Sequence, residues 1–264
     1  MPMFPARGHR AAAVGAAVVL LAVAACASER DVPEGPTVSI PPAPSPTASP
    51  TPIPEPSPEP TFDREARSID DPASIWVVVN KLRPLDPIDF TPPDLVTAPV
   101  SATNPATMRA EVADALVALF DAARAEEGIE LQSQSAYRSY ATQSTIYANG
   151  VAANGVEYTD RFSARPGHSE HQTGLAVDIG VPGGECSFQA CFGELRAGVW
   201  LAENAHRFGF LLRYPEGAQP IVGFDYEPWH FRYIGVELAT EMHEQGIATL
   251  EEFFGLPPAP DYVD

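Results

Sequence analysis

Two short stretches of this chain carry the residue types that do chemistry. One is SEHQTGLAVDIG, residues 169–180, and the other is EPWHFRY, residues 227–233. In the first, Leu175, Val177 and Ile179 alternate with Ala176 and Asp178, which is the period of a β-strand. A carboxylate among apolar strand residues is costly to bury unless something positive meets it. His171 and Asp178 are seven residues apart, so on one unbroken strand they would face opposite ways. Gly174 permits a turn that swings His171 round to the Asp178 face, and Ala176 keeps that face uncluttered. His230, opening another strand, is the third candidate ligand. Two histidines and one carboxylate hold a tetrahedral zinc with a fourth position open to water, the pattern of a catalytic centre. Glu227 is then placed to take a proton from that water, whose pKa the metal lowers toward ~7.

Together, SEHQTGLAVD and EPWHFRY resemble the S-x-H-x-x-G-x-A-x-D and E-x-W-H signatures of the VanY-type zinc D-alanyl-D-alanine carboxypeptidases of bacterial cell walls, a family with L,D-carboxypeptidase relatives. The resemblance covers roughly residues 73–250 and takes in VNKLRPLDP, SAYRSYATQSTIY and CSFQACF. It implies that His171, Asp178 and His230 bind zinc. Glu227 is implied as general base and then proton donor to the leaving amine. Substrate-binding roles are implied for Arg138, Gln143 and Ser169. Arg138 also makes chemical sense unaided, because a carboxypeptidase must recognise a terminal carboxylate and guanidinium offers a charged, bidentate fork.

The implied activity is release of the terminal D-alanine from peptidoglycan stem peptides. An L,D-carboxypeptidase acting on tetrapeptide stems would use the same ligands and base. A non-catalytic wall-binding module could keep the fold, but it would not need the acid at 227. No Ser-x-x-Lys occurs in the chain, which disfavours a serine-type wall peptidase. Of the other histidines, His168 follows Pro166-Gly167 in a loop and matches no ligand of the family. His206 ends a helical stretch, where a histidine suits the C-terminal dipole, and His243 reads as an exposed helical position.

The expected scaffold is α+β, a small antiparallel sheet with helices packed around it. The resemblance implies the zinc peptidase fold of the D-Ala-D-Ala carboxypeptidase and hedgehog type. IWVVV, residues 75–79, looks like a strand. A helix is expected from Asn104-Pro105 to Gly128, with Met108, Val112, Leu116, Leu119, Phe120 and Ala123 as its core face. Then come a strand in IELQSQS, a helix from Tyr140 to Gly150, the LAVDIG strand, a helix over 195–207, the WHFRYI strand and two C-terminal helical stretches.

The remaining length of this 264-residue chain reads as an export apparatus. Arg7 and Arg10 precede an apolar run too short to span a bilayer, and it ends in Val23-Ala24-Ala25-Cys26, which resembles a bacterial lipobox. Residues 1–26 are thus read as a lipoprotein signal peptide with Cys26 lipidated, residues 27–68 as a Pro/Ser/Thr-rich tether, and residues 69–264 as the catalytic domain. Cys186 and Cys191 are close enough in sequence to close a small disulfide loop outside the cytosol. A formal net charge of −19 disfavours nucleic-acid binding. The expected protein is a monomer, lipid-anchored to the membrane and facing the cell wall, with peptidoglycan stem peptides as partner.

Overall fold

The computed structural model describes residues 62–263. The segment read as a signal peptide, Cys26 and the Pro-rich tract up to residue 61 lie outside the described residues. A short antiparallel pair, β1 (Leu95–Thr97) and β2 (Thr107–Arg109), precedes the main sheet. The main sheet is antiparallel, built from β3 (Gln132–Ser135), β4 (Ala176–Gly180), β5 (Phe210–Leu212) and β6 (His230–Tyr233) in the order β3-β4-β6-β5. Around it lie α1 (Ala110–Glu127), α2 (Tyr140–Asn154), α3 (Val156–Thr159), α4 (Arg196–Asn204), α5 (Gln219–Val222), α6 (Val236–Gln245) and α7 (Leu250–Phe253). Helices packed on a small antiparallel sheet make the α+β class expected from the sequence.

Helix α1 buries Val112, Leu116, Leu119, Phe120 and Ala123 along one stripe, each large side chain contributing about 1.5–3 kcal/mol. It stops where Gly128 turns left-handed at φ 64° and sends its N–H back to the Arg124 carbonyl at 3.0 Å. Its start differs from the expected one. Residues 107–109 are extended and pair with β1, so Met108 enters the core from a strand rather than from the helix. Asn104 is not a cap; its amide donates to the Gln134 carbonyl at 3.1 Å. At its far end α2 runs through Gly150 to Asn154, because that glycine admits Thr159: a Cβ there would lie 2.9 Å from the threonine methyl.

Residues 75–79 are buried but do not form the expected strand. Side chains replace the ladder. The Arg232 guanidinium donates to the Ile75 and Val77 carbonyls at 3.1 and 2.8 Å, and Arg83 Nε donates to the Val78 carbonyl at 3.1 Å. Packing also begins ahead of the expected boundary at residue 69. Phe62 stacks on Trp76 with centroids 5.6 Å apart, and Arg64 Nη1 donates to the Phe253 carbonyl at 2.7 Å.

The register of β4 against β6 sets the site. Asp178 lies directly opposite His230, and Ala176 opposite Arg232. These four share one face, while Val177, Ile179, Phe231 and Tyr233 point into the core from the other. The small Ala176 leaves room beside the long Arg232, which is fully buried.

Candidate metal and catalytic centre

The turn foreseen at Gly174 is present. Residues 170–173 form a single 3-10 turn closed by Gly174 at φ 67°, where a Cβ would meet the Leu95 and Arg109 side chains at 3.0–3.1 Å. That turn carries His171 to the Asp178–His230 pair. The imidazoles of 171 and 230 meet edge to face, with centroids 4.9 Å apart. One ligand atom from each of His171, Asp178 and His230 lies within 4.8 Å of the others, and all three residues are buried.

Hydrogen bonds fix which ring nitrogen is available. A carbonyl only accepts, so His171 Nδ1, 2.7 Å from the Ala136 oxygen, carries the proton and leaves Nε2 its lone pair. His230 Nε2 faces the Glu170 carboxylate at 3.3 Å, leaving Nδ1 for a metal. Those two nitrogens stand 3.3 and 3.1 Å from the two oxygens of Asp178. Two lone pairs and a carboxylate converging on one point need a cation between them, and two nitrogens with one oxygen suit zinc. With only protons available, burial pushes His230 down, but its bonds to Asp178 and Glu170 outweigh this and raise it to about 9. Burial and the nearby Arg138 charge push His171 down to about 4. Burial alone would raise Asp178, yet the two histidines hold it below the usual carboxylate range. The acid Glu227 sits 3.9 Å from His230 Nδ1, and burial raises it to about 8 despite the attraction of His230.

These groups open into a cleft of about 590 Å³ that also exposes Arg138, Ser169 and Tyr214. Arg138 is held from behind: Nε donates to Gln143 at 3.0 Å and Nη1 to Ser135 at 2.8 Å, with Asp178 3.6 Å away. Its Nη2 has no partner among the described residues, leaving a donor edge for a substrate carboxylate. Gln143 does not reach the cleft. It is fully buried, donates to the Ala164 carbonyl at 2.7 Å and accepts from Arg138 Nε at 3.0 Å, so it supports the guanidinium from behind. Ser169 lines the cleft directly. Cys186 and Cys191 form a disulfide, and the loop between them holds Phe188 against Trp229 at the cleft edge, centroids 6.0 Å apart. His168 points elsewhere, its Nδ1 bonded to the Asn80 carbonyl at 2.8 Å, and His206 and His243 stack on each other at 3.6 Å.

Sequence reasoning missed Glu170, the residue between Ser169 and His171. It is fully buried, with one carboxylate oxygen on His230 and the other accepting from Arg213 Nε at 2.8 Å and Arg232 Nη1 at 2.9 Å. Arg213 in turn clamps Glu251 through two bonds of 2.9 and 2.7 Å. Two arginines and two glutamates thus balance charge behind the metal ligands, and together they hold Glu170 well below the usual carboxylate range although burial opposes it. Such outer partners orient a metal-binding imidazole and fix its tautomer. The local signal was an acid flanking a ligand histidine, but its partners are distant in sequence.

Comparison with known proteins agrees with this geometry. The sequence model of the family described as VanY, D-alanyl-D-alanine carboxypeptidase, matches residues 105–236. The chain is 40% identical to the putative carboxypeptidase YodJ of Bacillus subtilis over 192 residues, 71% of this chain and 69% of that one. It is 38% identical to the bifunctional D-Ala-D-Ala dipeptidase and carboxypeptidase VanXYC of Enterococcus gallinarum, over 67% of this chain and 91% of the relative. Among solved structures, the LD-carboxypeptidase LdcB aligns with a TM-score of 0.65 at 40% identity, over 70% of this chain and 87% of that one. A zinc(II) complex of a point mutant of the vancomycin-resistance D,D-pentapeptidase VanY aligns at 0.57 and 35%, over 69% and 98%. The fold is that of zinc-dependent carboxypeptidases, and His171, Asp178 and His230 form a cluster able to hold such an ion. The chain belongs to the VanY D-alanyl-D-alanine carboxypeptidase family.

Proposed function

We propose that this protein is a D,D-carboxypeptidase that hydrolyses the terminal D-alanine from peptidoglycan stem peptides. The observation that carries the reading is the Glu227 carboxylate 3.9 Å from the metal-facing nitrogen of His230, inside a cleft whose wall presents Arg138. His171 Nε2, Asp178 and His230 Nδ1 hold zinc, which when bound polarises the scissile carbonyl and acidifies water. Arg138 and Ser169 hold the terminal carboxylate, so that only the last peptide bond reaches the reacting centre. Glu227 takes one proton from the attacking water and returns it to the nitrogen of the departing D-alanine as the C–N bond breaks.

A second reading, L,D-carboxypeptidase action on tetrapeptide stems, is favoured by the alignment with LdcB and uses the same residues. Pentapeptide stems are expected to release D-alanine in the presence of zinc and not after chelation, measured by amino-acid analysis. Faster release from tetrapeptides assigns the L,D activity instead, and no release from any stem peptide overturns both. The chain works outside the cytoplasm on this reading, tethered by lipid on Cys26; the Cys186–Cys191 disulfide supports an oxidising compartment.

Arg138 gives a sharper test of the substrate end. Arg138→Lys keeps the charge and loses the fork, so KM for carboxylate-ended peptides should rise about 10–100-fold with kcat changed far less. C-terminally amidated peptides should be poor substrates for both forms. An unchanged KM would mean that another group reads the carboxylate.

A further inference from the structure

Tyr214 lines the same cleft. It lies two residues past the end of β5 and is only 6% exposed. Its ring is held on three sides: the His230 imidazole lies 4.8 Å away at a tilt of 34°, the Phe224 ring 4.9 Å away, and the Arg213 guanidinium carbon 5.2 Å from the ring centre. Its backbone belongs to the active site as well. The Tyr214 carbonyl accepts the Glu227 N–H at 3.1 Å, and the neighbouring Arg213 N–H donates to the His230 carbonyl at 3.2 Å. These main-chain bonds fix the Tyr214 backbone beside both the base and a metal ligand.

The phenol itself makes no hydrogen bond to any described residue. Buried tyrosines almost always give their hydroxyl a partner, because an unpaired polar group away from water is expensive. Here the hydroxyl belongs to a rigid, nine-tenths buried side chain facing the reaction cleft. A donor fixed in place and left open is what a developing negative charge requires, since no reorganisation is then needed as the charge forms.

We propose that Tyr214 is a catalytic hydrogen-bond donor whose Oη–H binds the oxygen of the scissile carbonyl as that oxygen becomes anionic. The proposal rests on the peptidase reading above. Water oxygen adds to the carbonyl carbon, the C=O π electrons move onto the oxygen, and the phenol donates to that oxygen without giving up its proton. When the C=O bond re-forms, the C–N bond breaks and the amine takes its proton from Glu227.

Tyr214→Phe removes one oxygen and keeps the ring packing, so it tests the hydroxyl alone. In the zinc-loaded protein, kcat on stem peptides should fall about 100-fold while KM stays within about twofold. Affinity for a phosphinate dipeptide, which mimics the tetrahedral oxyanion, should fall by a similar factor. Zinc affinity, read by competition with a chromogenic chelator, should not move. Unchanged kcat and phosphinate affinity would overturn the proposal, as would a rise in KM alone, which would make the hydroxyl a ground-state contact. A parallel loss of zinc affinity would also overturn it, by making the hydroxyl structural. Should the wild-type protein neither cleave stem peptides nor bind the phosphinate, the peptidase reading itself fails; should it do both and the Phe variant match it, only the role of Tyr214 fails.

Discussion

Glu227→Gln is expected to lower kcat about 10³-fold while zinc stays bound and KM changes little. The substitution is nearly isosteric, so the cleft keeps its shape and only the proton-accepting oxygen is lost. Glu227 lies 3.9 Å from His230 Nδ1, near the metal position without belonging to the three-residue ligand set. Burial raises its carboxyl to about 8 when no cation is present, so at neutral pH the metal-free site holds it largely protonated. A divalent cation beside it favours the charged form and restores a carboxylate able to accept a proton. The measurement is D-alanine release under steady state, paired with zinc stoichiometry on the same preparation. Lost zinc would make Glu227 a ligand. Retained activity would place the base elsewhere, whereas zinc binding without turnover in the wild-type protein would reopen the reading of the domain as a non-catalytic wall-binding module. The predicted pattern, zinc held and turnover lost, separates an enzyme from a binding protein that kept the fold.

The parts of this site that were legible in the sequence are those whose signal is local. Alternation in LAVDIG specifies β4 and puts Asp178 on the face opposite Val177 and Ile179, and Gly174 marks the turn that carries His171. The end of α1 was readable because Gly128 is a left-handed stop. The start of α1 was not, because Met108 fits a helical stripe as well as it fits the strand it occupies; only its pairing with Val96 decides. IWVVV has strand composition, yet the carbonyls of Ile75 and Val77 are taken by Arg232, some 155 residues away. Glu170 and Tyr214 were invisible for the same reason. Their meaning comes from groups that the fold delivers: for Glu170 two arginines, 43 and 62 residues distant, and for Tyr214 the ring of His230. The substrate-binding role of Gln143 is implied by a family pattern alone, and what the fold adds is its hydrogen bond behind Arg138.

Removing Glu170 should damage stability and metal binding together. Its carboxylate is the shared partner of Arg213 and Arg232, both without exposure to solvent, and of His230 Nε2. In Glu170→Ala the two guanidinium groups keep their burial and lose half of the compensating charge, a change that costs about 3–5 kcal/mol. His230 also loses the acceptor that holds its proton on Nε2, so Nδ1 is no longer reserved for zinc; outer-partner losses of this kind lower metal affinity about 10–100-fold. Denaturant midpoints of the metal-free protein measure the first effect, and chelator competition measures the second. Glu170→Gln separates them. Its amide still fills the space and its oxygen can accept one hydrogen bond, but it brings no negative charge to the arginines. If charge balance dominates, Gln should destabilise nearly as much as Ala; if orientation of His230 dominates, Gln should recover most of the zinc affinity. Wild-type stability and affinity in both variants would show that the arginines are neutralised by Glu251 alone and that His230 is positioned by its strand.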